Sequence, residues 1–390
     1  MRALTAPDRP SAVDRPSSRG RWIWTVSGLV TVAALSVPVA FLITHGAGSG
    51  NGQIVSALPG RTLTVAATVT SLSVTSYGSP IQVTTGPVRH LTVRESINYS
   101  PANGPAPAVT DQVSDGRLTL AAPACANSDC SVGFTVTVPS SVAVTADSDG
   151  GAITVANAAG ANLDSGGGSV QASHIDGPLT ISADGGSITV WHVTSPTGTS
   201  LDSGGGPITA SQVDGPLTAS GQGGSITVAN VSSPTGANLD SGGGPITATG
   251  IDGPLSAAAE GGGITVNGLT GDLQADTAGG PFSGESVAAG KVSVITEGGA
   301  AGLTVSTAPA YVFVDTGGGP ATLTFGGAPT TVTVSTDGGS ATLNVPGGPY
   351  SVAADSEGGG QTTVEVPTAP NAHRSLTVNS GGGPLEILPR

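Results

Sequence analysis

Large core-forming side chains are scarce in this sequence. Its 390 residues include five Phe, four Tyr, three Trp and one Met. Ile, Val, Leu and Ala must therefore fill whatever interior the chain forms, and side chains of that size close-pack a narrow interior. This shortage excludes a thick round core and favours a slender one.

Positive charge is also scarce. Charged residues make up 10% of the chain, the formal net charge is −14, and there is one Lys. Residues 1–21 contain five Arg and two Asp, a local net of +3, so the remainder carries −17. An acidic body repels nucleic acid and anionic membrane surfaces. We therefore expect no nucleic-acid partner and interpret the charge as an aid to solubility.

Cysteine is nearly absent, and so are the common catalytic motifs. Cys125 and Cys130 are the two cysteines of the chain, and two thiolates alone cannot complete a zinc site. Outside the cytoplasm such a pair normally forms a disulfide, which we predict here. No G-x-S-x-G, P-loop or H-E-x-x-H motif occurs, so hydrolase, nucleotide and zinc-protease sites find no support. We predict no catalytic residues, no metal and no cofactor.

One long apolar stretch near the N-terminus predicts a membrane helix. Residues 22–44 contain no charged side chain and are long enough to span a bilayer. Arg19 and Arg21 precede the stretch, and an excess of Arg marks the cytoplasmic side. We expect a cytoplasmic disordered tail over 1–21, a single-pass helix in the cell membrane and an extracytoplasmic body. A cleaved signal peptide is the alternative, and it leaves the body on the same side.

Glycine, by contrast, is abundant and periodic. A Gly-Gly pair, a small residue or Pro, and then an apolar strand recur mostly every 18–20 residues. A longer period is visible where Leu163, Leu201 and Leu239 each begin the same segment, LDSGGG, at intervals of 38 residues. A period near 19 indicates one turn of a solenoid.

The predicted fold is therefore all-β: a parallel β-helix, or solenoid, with about 18–20 residues per coil, preceded by the single transmembrane helix. Residues 45–60 are expected to form a linker. Residues 61–140 hold alternating apolar segments without an obvious repeat and predict an N-terminal strand region of the solenoid. Residues 141–390 predict the repeated coils.

Corners and an inward face can be assigned within a coil. Gly accepts positive φ without a Cβ penalty, so Gly-Gly pairs are expected to turn the chain. Asp-Gly-Pro segments, such as the one at Asp214, predict a second corner. Inward-pointing residues between corners are expected to be Ile208, Ala210, Val213, Leu217 and Ala219.

The sequence resembles a known bacterial family. The features that carry the resemblance are FTVTVP at 134–139, ADSDGGAITV at 146–155 and the repeated G-G-x-I-T-V pattern. Over roughly residues 80–390 it is similar to the putative adhesin family of envelope proteins with β-strand repeats, a domain of unknown function. The resemblance implies a mostly parallel β-helix and supplies no catalytic residues. The C-terminal copies, such as the one at Gly298, depart from the pattern.

Aspartates before the glycine-rich corners form the strongest candidate site. Stacked carboxylates would suit Ca²⁺, which prefers several oxygen ligands, whereas hydrogen bonding within each turn is the alternative. These residues are Asp147, Asp164, Asp202, Asp240, Asp276, Asp315, Asp337 and Asp355. His174 and His192 lie one coil apart, a spacing that allows them to be neighbours, and ordinary surface polar side chains are the alternative interpretation.

The function expected from these patterns is structural or interactive, not enzymatic. An anchored solenoid would present Thr/Ser faces to envelope polymers or surface proteins, in the manner of an adhesin. One alternative is a binding module that senses the envelope in signalling. Another is a glycan-active enzyme, which would need paired carboxylates in a cleft.

Overall fold

The computed structural model describes residues 56–58, 60–65, 68–99, 106–122 and 130–390. All of them belong to one compact unit, Phe41–Arg390. The predicted tail, the predicted membrane helix and most of the linker lie outside the described residues. Within the described ranges, no helix is long and apolar enough to cross a membrane.

The described chain consists of short strands joined by turns. In chain order the 34 strands are β1 (Ser56–Leu58), β2 (Thr62–Val65), β3 (Ser71–Ser76), β4 (Ile81–Gly86), β5 (Leu91–Tyr99), β6 (Thr110–Ser114), β7 (Arg117–Ala121), β8 (Ser131–Pro139), β9 (Ala143–Ser148), β10 (Ile153–Ala156), β11 (Ala161–Ser165), β12 (Val170–Asp176), β13 (Leu179–Ala183), β14 (Ile188–Thr194), β15 (Thr199–Ser203), β16 (Ile208–Asp214), β17 (Leu217–Gly221), β18 (Ile226–Ser232), β19 (Ala237–Ser241), β20 (Ile246–Asp252), β21 (Leu255–Ala259), β22 (Ile264–Thr270), β23 (Leu273–Thr277), β24 (Phe282–Ala288), β25 (Lys291–Ile295), β26 (Ala301–Val305), β27 (Tyr311–Asp315), β28 (Ala321–Phe325), β29 (Thr331–Ser335), β30 (Ala341–Val345), β31 (Ser351–Asp355), β32 (Thr362–Val364), β33 (Ser375–Asn379) and β34 (Leu385–Pro389).

Two long sheets contain these strands. From β9 to β30 the even-numbered strands form sheet A and the odd-numbered strands form sheet B. Neighbours within a sheet are parallel and in register, so Ile188 lies beside Ile208, and Ile208 lies beside Ile226. Each coil contributes one strand to each sheet, and about 12 turns stack in this way. The predicted parallel β-solenoid is confirmed.

The core is a narrow aliphatic column between the sheets. Alternation along each strand points every second side chain inward. Ile208, Ala210, Val213, Leu217 and Ala219 are each at most 1% exposed, as predicted. Ile, Val, Leu and Ala supply nearly all of this column, so the core is filled without many large aromatic side chains.

The turn from a sheet-B strand to the next sheet-A strand is here called the glycine corner. At its last glycine, Gly206, an added Cβ would lie 2.2 Å from the carbonyl oxygen of Gly186 in the preceding coil. The same close approach recurs from coil to coil at the matching glycines, including Gly224 and Gly319. The expectation that the corner glycines have positive φ is wrong at Gly205 and Gly206, where φ is not in the left-handed region. It is correct at Gly318, where φ is 128°.

A buried hydroxyl supports many glycine corners. The Gly244 N–H donates to Ser241 Oγ at 3.0 Å, and Ser241 Oγ in turn contacts the Gly224 carbonyl oxygen at 3.2 Å. Ser241 is fully buried. The predicted turn bond from Asp is made at Asp315, whose carboxylate accepts the Gly317 N–H. In the LDSGGG corners at Ser165 and Ser241, the residue after Asp binds the corner glycine's N–H instead.

The second corner, from sheet A to sheet B, explains the 38-residue period. From β12 to β21 it alternates between two residues, as at 215–216, and four residues, as at 233–236. Coil lengths from Val170 to Ile264 therefore alternate between 18 and 20, as the steps from Ile208 to Ile226 and from Ile226 to Ile246 show. Two coils together complete the longer repeat.

Seven sheet-A strands and the end of β10 contain a stacked bend. At this point one residue per coil takes a left-handed backbone, with φ between 52° and 71°. The bend interrupts the in–out alternation, so that in most of these strands two successive side chains lie outside the core, and the next residue returns to it; at β12 Ser173 is buried. These residues, here called the left-handed column, are Asn157, His174, His192, Gln212, Asn230, Gly250, Gly268 and Ser286.

At both ends the stacking order departs from chain order. The first coil, β3 with β4, lies between the coil of β7 and β8 and that of β9 and β10. At the other end the last coil, β33 with β34, lies between β29–β30 and β31–β32. Antiparallel strands β5 and β6 flank the N-terminal end.

Candidate functional site

The predicted aspartate column is not continuous. In sheet B, Ser182 lies between Asp164 and Asp202, and Ser220 lies between Asp202 and Asp240. Most of the carboxylates are therefore two coils apart, about 9.6 Å at the usual strand spacing. Within the described ranges, no three His, Cys, Asp or Glu side chains are grouped to hold a metal ion. Within the described ranges the predicted carboxylates stack in register on neighbouring strands only at Asp147 and Asp164.

One corner does concentrate acidic side chains. Asp147 and Asp164 lie in register on neighbouring strands. Partial burial raises the pKa of Asp147, and the charges of Asp164 and Asp149 raise it further. Burial likewise raises the pKa of Asp164, with Asp184 and Asp149 adding to the shift, while a hydrogen bond with Ser182 opposes it. These four carboxylates, here called the acidic corner, repel one another.

An open groove crosses the outward face of sheet B. It runs past the beginnings of the sheet-B strands from β17 to β27, beside the second corners, and its volume is about 630 Å³. Its floor is a column of hydroxyl and amide side chains on successive strands, so a chain molecule in the groove would meet a polar group about every 4.8 Å. The floor residues are Thr218, Asn238, Ser256, Gln274 and Ser293.

An aromatic ring and a cation lie at one end of this sheet-B groove. Tyr311 is 42% exposed, and Lys291 occupies the neighbouring register position. Asp272 accepts the backbone N–H of Lys291 at 3.0 Å, which fixes the backbone there. The Lys291 ammonium forms no ion pair in the part of the chain that the structure describes. The groove thus combines an aromatic face, amides, hydroxyls and an available cation.

Sequence reasoning missed this groove. The segment Tyr311–Asp315 alternates, with Val312 and Val314 buried, so Tyr311 faces outward. An aromatic residue at an outward position, one coil after the chain's single Lys, was the available signal. In a sequence with 3% aromatics, that combination distinguishes Tyr311 from the Thr and Ser residues elsewhere on the sheets.

The two histidines that lie one coil apart do meet. The ring centroids of His174 and His192 are 4.7 Å apart and their planes differ by 6°, so the imidazoles stack. Both rings are exposed, and both lie in the left-handed column on sheet A. They line a shallow hollow of about 410 Å³, together with Ser140, Asn157, Asp176, Val193, Thr194, Gln212 and Asp214.

Cys125 lies outside the described residues, so its pairing with Cys130 stays a prediction.

Comparisons with known proteins add little to this geometry. Neither a known family model nor a curated protein matches the sequence. The crystal structure of a putative cell adhesion protein from Clostridium sporogenes ATCC 15579 is similar over 85% of this chain and 100% of that chain, at 9% identity. Its TM-score of 0.19 is too low to carry an argument, and the fold assignment depends on the strand register above.

Proposed function

We propose that this protein is a structural or interaction protein of the bacterial cell surface that binds an extended envelope polymer along the sheet-B groove. The observation that supports the proposal most is the continuity of the groove over successive coils. Because the coils stack in register, the groove repeats its polar floor along the solenoid axis, and a repeating polymer can match a repeating surface.

The side chains of the groove suit a glycan. The apolar face of a sugar ring packs on an aromatic ring such as Tyr311, whose hydroxyl remains available for hydrogen bonding. Asn238 and Gln274 each offer donors and an acceptor to sugar hydroxyls. Lys291 adds a cation for a carboxylate or phosphate on the polymer, so we propose an acidic glycan as the ligand. The acidic body opposes this attraction at long range, so the attraction acts only at short range, within the groove.

The proposal is binding without hydrolysis. Glycosidases act with a pair of carboxyl groups on either side of the scissile bond. Asp272 is the single carboxylate that lines the groove, and its side chain already accepts the Lys291 N–H. No observation in the described ranges favours the enzyme or the signalling alternative over a binding role.

Binding of cell-wall polymer tests the proposal. The purified full chain should co-sediment with peptidoglycan sacculi that retain their attached acidic polymers. Tyr311→Thr should weaken this binding about tenfold, since aromatic anchors dominate such contacts. Thr331 already occupies the next register position, so the variant should fold.

Two further variants complete the experiment. Lys291→Gln should weaken binding to intact sacculi and have no effect on sacculi stripped of acidic polymer. Thr322→Ala, on the outward face of sheet A, is the matched control and should bind normally. The proposal fails if the full chain binds neither preparation, or if Tyr311→Thr binds as the unaltered chain does.

Location is a separate part of the proposal. The apolar stretch 22–44 and the arginines before it support an anchored body outside the cytoplasm. Protease added to intact cells should remove a C-terminal tag from the full chain. A tag that survives until the cells are lysed would contradict the extracytoplasmic placement.

A further inference from the structure

The stacked imidazoles of His174 and His192 are a consequence of the coil register. Ser173 lies beside Trp191 and Ile175 beside Val193 in neighbouring strands. The two histidines between these pairs share the same left-handed backbone, with φ of 52° and 54°. Because the two backbones have the same conformation on neighbouring strands, the side chains are separated by about the strand spacing of ~4.8 Å. The ring centroids accordingly lie 4.7 Å apart.

We propose that His174 and His192 together bind one divalent transition-metal ion, with Cu²⁺ preferred. Imidazole nitrogen is a good ligand for Cu²⁺, Ni²⁺ and Zn²⁺, and Cu²⁺ binds most strongly in this series. Two imidazoles from fixed backbone positions form a chelate, because binding of the first nitrogen brings the second within reach.

The stacked rings must rotate about their side-chain torsions before they can share one ion. Two nitrogens bound to one ion at about 2.0–2.1 Å each can be at most about 4.2 Å apart. The ring planes differ by 6°, so the nitrogen lone pairs, which lie in those planes, run parallel, and the rings must tilt out of parallel by tens of degrees to converge on one ion. Both side chains are exposed, so this tilt meets little packing resistance.

The surrounding hollow is polar and negatively charged. Asp176 and Asp214 lie two residues after His174 and Gln212 on their strands and line the same hollow. Their charge attracts a cation. No third His, Cys, Asp or Glu in the described ranges completes a cluster around the pair. The proposed site therefore has two protein ligands, and water supplies the rest of the coordination.

The column itself supplies conservative variants. Asn157 and Gln212 occupy the positions on either side of the histidines with the same left-handed backbone. His174→Asn and His192→Gln therefore place side chains already present in this column, and the coil should remain intact. Far-UV circular dichroism and the urea midpoint of each variant check this directly.

Copper titration of the chelator-treated full chain tests the site. We expect one Cu²⁺ per chain with the nitrogen hyperfine structure of imidazole ligation in electron paramagnetic resonance. Each of the two variants should weaken that binding about tenfold or more, because the chelate is lost. His373→Gln, remote in sequence and outside this hollow, is the matched control and should bind like the unaltered chain.

A gain-of-ligand variant provides an independent check. Gln212→His places a third imidazole next to His192 in the column and should raise the Cu²⁺ affinity. The proposal is overturned if copper binds without nitrogen hyperfine structure, or equally well when either histidine is replaced. Carboxylate binding over the acidic surface would give that result. Because the hollow is on sheet A, loss of polymer binding in the sheet-B groove leaves this test unaffected.

Discussion

The coils before residue 288 and those from 291 to 345 close the glycine corner in different ways. In three of the earlier coils a serine hydroxyl accepts the N–H of the last glycine, as Ser241 does for Gly244. In the later coils a backbone carbonyl accepts it: the Gly339 N–H donates to the Thr336 carbonyl oxygen at 3.0 Å. The later turns have a left-handed glycine before the last one, such as Gly338 with φ of 121°.

Both regions share the close contact between corner glycines. In the earlier coils, a Cβ added to Gly206 would lie 2.2 Å from the Gly186 carbonyl oxygen. In the later coils, a Cβ added to Gly319 would lie 2.1 Å from the Gly299 carbonyl oxygen. This contact is therefore the requirement common to the repeated coils from β11–β12 to β29–β30. The acceptor of the last glycine's N–H can change from a side-chain hydroxyl to a backbone carbonyl without altering how the coils stack.

The regions also differ in sheet A, and this difference places the candidate sites. The earlier sheet-A strands bend at the left-handed column, and most of them expose two successive side chains, whereas β26, β28 and β30 have five residues and no such bend. The histidine pair requires the bend. The aromatic end of the sheet-B groove lies where the bend disappears, at Lys291 and Tyr311.

The largest expected effect concerns the contact common to both regions. Gly206→Ala and Gly319→Ala should each destabilise the chain by about 3 kcal/mol or more, because backbone must move to admit the Cβ. Urea unfolding followed by far-UV circular dichroism measures this. Gly205→Ala is the matched control: its Cβ would meet nothing within 4 Å, and its midpoint should shift little. Equal shifts at Gly205 and Gly206 would contradict the stacking argument.

A smaller effect should separate the two regions. Ser241→Ala leaves the buried Gly244 N–H without a partner and should cost about 1–2 kcal/mol. Thr336→Val keeps the shape and the backbone bond of its turn, so it should cost less than about 1 kcal/mol.

The same unfolding measurement compares the two variants. Ala259 occupies the Ser241 position in the next coil, so Ser241→Ala introduces a residue that the solenoid already accommodates. If Thr336→Val costs as much as Ser241→Ala, the two corners do not differ in the way described above.

The sequence predicted the coil and the inward residues, and its spacing allowed the meeting of the two histidines, because each depends on periodicity alone. It did not predict why the last corner glycine is required. Gly206 needs the space that a Cβ would fill in the neighbouring coil, and that contact follows from stacking, which a local turn pattern does not contain. For the same reason, the local pattern did not predict that Ser182 and Ser220 interrupt the aspartate column, because that follows from which strands are neighbours.

The sequence periodicity did not predict the sheet-B groove or the order of the end coils, for another reason. The groove depends on Tyr311, Lys291 and Asn238, which lie in different coils and meet only through the register. The insertion of β3 between β7 and β9 reverses chain order, and strands with equally apolar alternation fit either place. Pattern alone cannot choose between such placements.

The smallest expected effect concerns the acidic corner, which belongs to the earlier region. The pKa values of Asp147 and Asp164 are raised above their ordinary value of 3.8. In the pH range just above that value the folded chain therefore holds more protons than the unfolded chain, so stability falls as the pH rises through it. Asp164→Ser introduces the residue found at the equivalent position of the next coil, Ser182. This variant should reduce the dependence of stability on pH. It should also stabilise the chain at neutral pH and low salt by a few tenths, at most about 1 kcal/mol, because both carboxylates are mostly exposed.

Unfolding midpoints between pH 4 and 7, at low and high salt, measure the effect. The gain should disappear in about 1 M salt, where charges are screened within about 3 Å. Asp240→Ser is the control, since Asp240 lies between Ser220 and Ala258 without a carboxylate in register beside it. This variant should show no such salt-dependent gain in stability. If Asp164→Ser destabilises the chain at neutral pH, the hydrogen bond between Asp164 and Ser182 outweighs the repulsion, and the acidic corner stabilises this end of the solenoid.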